Sequence, residues 1–273
     1  MTFIEKLEHM WDKNNSLLCV GLDPEISKFP ARLKGMEANQ AIFEFNKAII
    51  DATHDVVCAY KPQIAYFSAA SAEAALEQTI AYIQKQYPDI PIILDSKRGD
   101  IGSTAQKYAE EAFDRYNADA VTVNPYLGSD SVEPFISYKE RGVILLCRTS
   151  NSGAAILQDL EVDGVPLYQR VAIIARDQWN TYSNCLLVVG ATWPEQMAQV
   201  RQLVGAMPFL VPGVGTQGGD IDALVNAGMT DDKKGLIISS SRAVLYADSG
   251  DNFAQAAREV AISLRDRINE SRA

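Results

Sequence analysis

An apolar run ends in two carboxylates with a lysine between them: Ile92-Ile93-Leu94-Asp95-Ser96-Lys97-Arg98-Gly99-Asp100-Ile101. In a strand, alternate side chains share a face, so Asp95 and Lys97 point to one side, and a turn through Gly99 swings Asp100 towards the same region. An ammonium held among carboxylates stays protonated and can deliver its proton to a reacting carbon. A lysine of this kind can also form a Schiff base with a carbonyl substrate. Spacing alone is equally compatible with an exposed salt-bridge cluster on a βα loop.

The elements around the cluster weigh on that choice. Short apolar runs bounded by polar residues or glycine occur at 17–23, 56–62, 90–95, 120–126, 143–150, 186–192, 209–215 and 236–241. Helical periodicity lies between them at 39–52, 68–86, 104–116, 167–181, 194–204 and 220–227. Strands without polar alternation suit a sheet covered on both faces. Eight βα units in succession predict an α/β fold, a (β/α)8 TIM barrel, with residues 1–273 forming a single domain. The stretch 253–268 places Phe253, Ala257, Val260, Ala261, Leu264 and Ile268 at helical spacing, as a helix packed on the barrel would. The segment 150–166 exceeds a minimal βα loop and carries a hairpin signal with Asp163-Gly164 at its turn, either a lid or a decoration.

The ends of the eight runs carry Asp23, Lys61, Asp95 with Lys97, Asn124, Thr149 with Ser150, Thr192, Gln217 and Arg242. Any one of them serves as an ordinary loop polar group, but in such barrels the rim at the strand exits is where the active site sits. Val211-Pro212-Gly213-Val214-Gly215-Thr216-Gln217-Gly218-Gly219 follows the seventh run and precedes a helix, so its amides can approach an anion without obstruction. The eighth run ends in Ser239-Ser240-Ser241-Arg242, which adds a guanidinium fork. Together they predict a phosphorylated small molecule as ligand. The loop also matches G-x-G-x-x-G, but it comes late in the chain, and Asp231 and Asp232 are too close to serve as the ribose-binding acid of a dinucleotide fold.

Composition excludes other classes. A net charge of −10 argues against a nucleic-acid or anionic-membrane surface. Met1–His9 has neither a signal-peptide core nor a membrane-spanning run, so a cytoplasmic location is expected. The four cysteines lie far apart inside apolar runs, as reduced core residues do, and only His9 and His54 are present, too few for a histidine-rich metal site or a Ser-His-Asp triad. His54 is expected at a helix end.

Taken together, Gly21-Leu22-Asp23-Pro24, Tyr60-Lys61-Pro62, Asp95-x-Lys97-Arg98-Gly99-Asp100-Ile101 with Thr104, Arg148-Thr149-Ser150-Asn151, Pro212-Gly213-Val214-Gly215-Thr216-Gln217 and Ser241-Arg242 resemble the orotidine 5′-phosphate decarboxylase family, in its longer-chain class, type 2. The resemblance spans nearly the whole chain. It implies decarboxylation of orotidine 5′-phosphate to UMP and CO2, with no metal or other cofactor. It further implies a charged tetrad of Lys61, Asp95, Lys97 and Asp100, in which Lys97 protonates the carbon that loses CO2 and Asp100 comes from the other subunit of a homodimer. By the same resemblance, Asp23, Lys61, Asp100 and Thr104 contact the ribose, Thr149 and Ser150 face the pyrimidine, Gln217 and Arg242 hold the phosphate, and Pro212 also binds the substrate. The residue types agree with this chemistry, because a carbanion formed without a metal or organic electron sink needs a fixed cation beside it. Magnesium-dependent sugar-phosphate enzymes of related barrels share the Asp-x-Lys-x-x-Asp pattern, but the Arg98–Ile101 continuation and the Arg148–Asn151 segment favour the nucleotide decarboxylase. A non-catalytic nucleotide-binding barrel would have no need of a lysine flanked by two carboxylates.

Overall fold

The computed structural model of the chain describes residues 1–214 and 220–273. Among these, eight parallel strands form one sheet: β1 (Leu18–Leu22), β2 (Ala59–Pro62), β3 (Ile93–Arg98), β4 (Ala120–Val123), β5 (Gly142–Arg148), β6 (Cys185–Val189), β7 (Phe209–Pro212) and β8 (Leu236–Ser240). Their order is β2-β1-β8-β7-β6-β5-β4-β3, and the bridges Tyr60↔Ile92 and Gln63↔Asp95 join the two edges into a barrel. Each predicted run overlaps a strand. Closure removes the sheet edges, and the helices outside cover the apolar outer face.

The helices are α1 (Phe3–Lys13), α2 (Ala38–Thr53), α3 (Ile64–Ala69), α4 (Glu73–Gln86), α5 (Gly102–Glu110), α6 (Ser129–Ile136), α7 (Ala155–Gln158), α8 (Leu167–Ile174), α9 (Pro194–Val204), α10 (Ile221–Gly228), α11 (Arg242–Leu245) and α12 (Phe253–Ser271). The helix expected over 68–86 is two: Ser71, at φ 51°, breaks the chain between α3 and α4. The helices expected over 104–116 and 167–181 end in π-type turns at Glu111–Arg115 and Ala175–Trp179.

Helix α1 went unpredicted, although Thr2 and Glu5 form a reciprocal capping box at its start. It buries Phe3, Leu7, Met10 and Trp11. The Lys6 ammonium reaches Asp119 ahead of β4 at 3.0 Å, and Asn14 donates to the Val57 carbonyl ahead of β2, so α1 lies across the barrel end from which the strands start. On the outer wall, α12 stacks Phe253 on Phe45 of α2 with ring centroids 5.1 Å apart. His54 closes α2, with its ring 4.3 Å from that of Tyr87. All four cysteines are buried and free, and burial pushes the Cys19 thiol up to about 12. In the 150–166 segment, Glu161–Val162 pairs with Val165–Pro166 as the predicted hairpin, with Asp163 and Gly164 both at positive φ as its two-residue turn requires.

Candidate active site

The charged cluster forms at the exits of β2, β3 and β4. Asp95 is 6% exposed and Lys61 5%. Lys61 Nζ lies 2.8 Å from Asp95 Oδ2, and Lys97 Nζ lies 2.6 Å from Asp95 Oδ1, so a lysine grips each carboxylate oxygen. The Thr122 hydroxyl on β4 donates a third hydrogen bond to Oδ1 at 2.9 Å. Burial opposes charge on Asp95, but Lys61 and Lys97 outweigh it and hold the carboxyl well below the usual carboxylate range. Burial likewise opposes charge on Lys61, and Asp95 and Asp23 override it, raising the ammonium above its ordinary value.

The strand geometry differs from simple alternation. Strand β3 runs on past Asp95 to Arg98, and its pairing with β4 shifts register between Leu94 and Arg98. Lys97 sits there at φ 47°, a left-handed conformation that costs a non-glycine residue roughly 1–3 kcal/mol. Thr122 holds the irregularity by accepting from the N–H groups of Ser96 (3.0 Å) and Lys97 (2.9 Å). Thr122 was absent from the expected site, yet it is the one polar residue in the apolar run Ala120-Val121-Thr122-Val123.

Asp100 does not join the cluster within one chain. Its carboxylate accepts the N–H of the adjacent Ile101 at 2.8 Å, and no hydrogen bond or ion pair links it to Lys61, Asp95 or Lys97 among the described residues. The turn at Gly99 therefore leaves Asp100 outside, and the expectation of a shared region within the chain is corrected. Thr104, on the first turn of α5, is exposed.

A cavity of about 540 Å³ opens over the cluster, lined by Lys61, Asp95, Lys97, Thr122, Ser150 and Pro212 among others. Such a volume lies within the roughly 300–1,000 Å³ of small-molecule sites. Among the described residues, the buried Oδ1 of Asp23, after β1, has no hydrogen-bond partner. The Tyr246 phenol shapes this exit by donating to the Asp23 carbonyl (2.8 Å) while accepting the Glu25 N–H (2.6 Å). Gly21 matters for space: a Cβ there would lie 1.9 Å from Ser241 Oγ, beside Arg242.

Thr149 lines the cavity with its polar groups engaged inside the protein. Its N–H donates to Gln158 Oε1 (2.9 Å), its carbonyl accepts from Trp193 Nε1 (3.0 Å), and its hydroxyl takes a bond from Gln158 Nε2 (2.9 Å) and gives one to Asn151 (2.7 Å). Neighbouring Arg148 is fully buried, with its guanidinium 4.3 Å from the Trp193 ring.

The helix that follows the expected anion-binding loop has its start already occupied. Asp220 caps α10 by accepting from the N–H groups of Asp222 and Ala223, so a carboxylate already occupies the helix start where an anion was expected. Gln217, with residues 215–219, lies outside the described residues.

Residues 16–260 match the model of the orotidine 5′-phosphate decarboxylase / HUMPS family. The chain belongs to this family. A relative from Cellvibrio japonicus, named orotidine 5′-phosphate decarboxylase, is 74% identical over 273 residues, covering 100% of both chains. Among solved structures, the Leishmania donovani OMP decarboxylase superposes with a TM-score of 0.86 at 39% identity, covering 100% of this chain and 99% of that one. The Leishmania donovani UMP synthase gives 0.89 at 40% identity, and this chain spans 57% of its length. Membership in this family accounts for the single-domain barrel.

Proposed function

We infer that Lys97 is the proton donor in the decarboxylation of orotidine 5′-phosphate to UMP, the pyrimidine-biosynthetic activity of the decarboxylase family. The observation that carries this is the grip of two lysines on one buried carboxylate. Two ammoniums against one carboxylate leave the trio net cationic, beside the carbon from which CO2 departs. As the C–C bond breaks, its electron pair stays on the pyrimidine carbon; the Lys97 ammonium stabilises that charge and then transfers a proton to it. Lys61 holds Asp95 ionised, and Asp95 holds Lys97 in place, so the cation is set before substrate arrives. No metal or organic electron sink takes part.

Asp23, with its unpartnered Oδ1, accepts from a ribose hydroxyl, while Pro212, Gln217 and Arg242 receive the phosphate end. Phosphate binding far from the reacting carbon supplies energy for aligning the ring on Lys97. Asp100 and Thr104 reach the ribose of a partner's site in a homodimer. Two features support this. Among the described residues Asp100 makes no hydrogen bond or ion pair with its own cluster, and Ile101, Tyr126 and Leu127 expose apolar surface on the adjoining β3 and β4 exits. Among the described residues no helix is long and apolar enough to cross a membrane, and a cytoplasmic location fits a metabolic enzyme of this kind.

The test is complementation. Lys97→Ala and Asp100→Ala are each expected to be inactive alone. Mixing them under conditions that exchange subunits restores part of the activity, because one site of each mixed dimer is then intact. No recovery in dimers shown to have exchanged would place Asp100 in its own chain's site.

A further inference from the structure

The wall of the substrate cavity contributed by the 150–166 segment has little packing to hold it. Ile156 is 81% exposed, Leu157 45% and Leu160 55%. Behind the wall lies a second cavity of about 460 Å³, and Leu146, Leu157 and Gln158 line both this one and the substrate cavity. Helix α7 is thus a partition with open space on two sides, and its place depends on hydrogen bonds rather than on burial.

Those bonds converge on one amide. Gln158 Oε1 accepts from Thr149 N–H (2.9 Å) and from Arg148 Nη1 (3.2 Å), while Gln158 Nε2 donates to the Thr149 hydroxyl (2.9 Å). A guanidinium is always a donor, so Arg148 fixes which end of the amide faces it. The rest of the chain of bonds then has one direction: Gln158 Nε2 to Thr149 Oγ1, and Thr149 Oγ1 to Asn151 Oδ1. Arg148 is itself locked, buried over Trp193 and paired with Asp159 at 3.2 Å. From the opposite side, Trp193 Nε1 holds the Thr149 carbonyl and Thr192 Oγ1 the Ser150 carbonyl, and the Ser150 backbone rests on Gly190, where a Cβ would come within 2.7 Å.

We propose that Gln158 is a positioning residue for the decarboxylation, a clasp, oriented by Arg148, that holds the Thr149–Ser150 exit of β5 at the angle that presents Ser150 to the pyrimidine. This rests on the proposed function together with the placement of Ser150 at the pyrimidine that the family resemblance implies. With the clasp made, the N–H, carbonyl and hydroxyl of Thr149 are all fixed, and the next residue has one direction in which to project. With it broken, α7 can drift into either cavity.

The experiment compares Gln158→Met, which keeps the side chain's length and loses its amide, with Gln158→Glu, which keeps an acceptor for Thr149 and Arg148. Ser150→Ala is the control for the ring contact. Steady-state kinetics, melting temperature and protection of the 150–166 segment from protease by UMP are read for each. The expected result is a fall in kcat/KM of roughly tenfold for Gln158→Met, about one buried hydrogen bond, with loss of UMP protection and most of the activity recovered in Gln158→Glu. Unchanged kcat/KM in Gln158→Met, whatever its melting temperature, overturns the proposal. A fall in Gln158→Met that Gln158→Glu shares in full also overturns it, because packing would then be the cause. Unchanged kinetics in Ser150→Ala removes the ring contact itself, and the proposal with it.

Discussion

Replacing Thr122 with valine keeps the shape of a buried side chain and deletes its hydroxyl. That hydroxyl gives one hydrogen bond to the Asp95 carboxylate at 2.9 Å and receives two from the N–H groups of Ser96 and Lys97. A hydrogen bond to a charged group contributes about 1.5–3 kcal/mol, and a buried donor left unmade costs about 1–3 kcal/mol. Lys97 is half exposed, so water reaches that part of the strand and the lower ends apply. The expected loss of stability is about 2–4 kcal/mol. The catalytic loss has a separate origin. Lys97 at φ 47° is held in a costly conformation by the bond to Thr122, and once released its ammonium leaves the 2.6 Å contact with Asp95. A misplacement costing about 1.4–2.7 kcal/mol in the transition state lowers kcat roughly tenfold to a hundredfold. Thr122→Ser retains the hydroxyl and should keep most of the activity. The assay follows the loss of orotidine 5′-phosphate absorbance alongside thermal unfolding. A fall in melting temperature with kcat unchanged in Thr122→Val would refute the coupling of this hydroxyl to Lys97.

Asp95→Asn should abolish turnover and also destabilise the fold by about 3–5 kcal/mol, because it strands the buried Lys61 ammonium; urea unfolding measures the second effect. The same unfolding series against pH has a definite sign. Asp95 is depressed in the folded state, so its stabilisation is present above the unfolded value near 3.9 and is lost as pH falls below it. Lys61 is raised, so its stabilisation is present below about 10.4 and is lost as pH climbs beyond. The Asn variant should therefore show a shallower acid limb than the wild type. Gly190→Ala puts a methyl within 2.7 Å of the Ser150 backbone, and kinetics should show KM for orotidine 5′-phosphate rising severalfold or more with the far-ultraviolet spectrum unchanged.

The barrel was legible because parallel strands buried on both faces read as unbroken apolar runs, and each predicted run overlaps a strand. The end of β3 was not, because Ser96-Lys97-Arg98 stay in the sheet through a hydroxyl on the neighbouring strand, which local sequence does not reveal. The break at Ser71 was equally hidden, since a serine carries no glycine-like signal for positive φ. Helix α1 was legible in principle: Thr2 and Glu5 have capping-box spacing, and Phe3, Leu7, Met10 and Trp11 fall on one face. Asp95, Lys97 and Lys61 came together as their strand-exit positions predicted. Asp100 did not, because past the turn at Gly99 its carboxylate accepts the N–H of the adjacent Ile101. Gln158 had no signal at all, as its role depends on how the 150–166 segment folds back on β5.

The measurement closest to the central claim is the loss of orotidine 5′-phosphate absorbance in the presence of EDTA, with wild type and Lys97→Ala run side by side. Rapid loss with wild type, and a rate lower by several orders of magnitude with Lys97→Ala of unchanged melting temperature, is the predicted result. Comparable rates in the two proteins would contradict the assignment of Lys97 as the proton donor, and loss of wild-type activity on chelation would contradict a metal-free reaction.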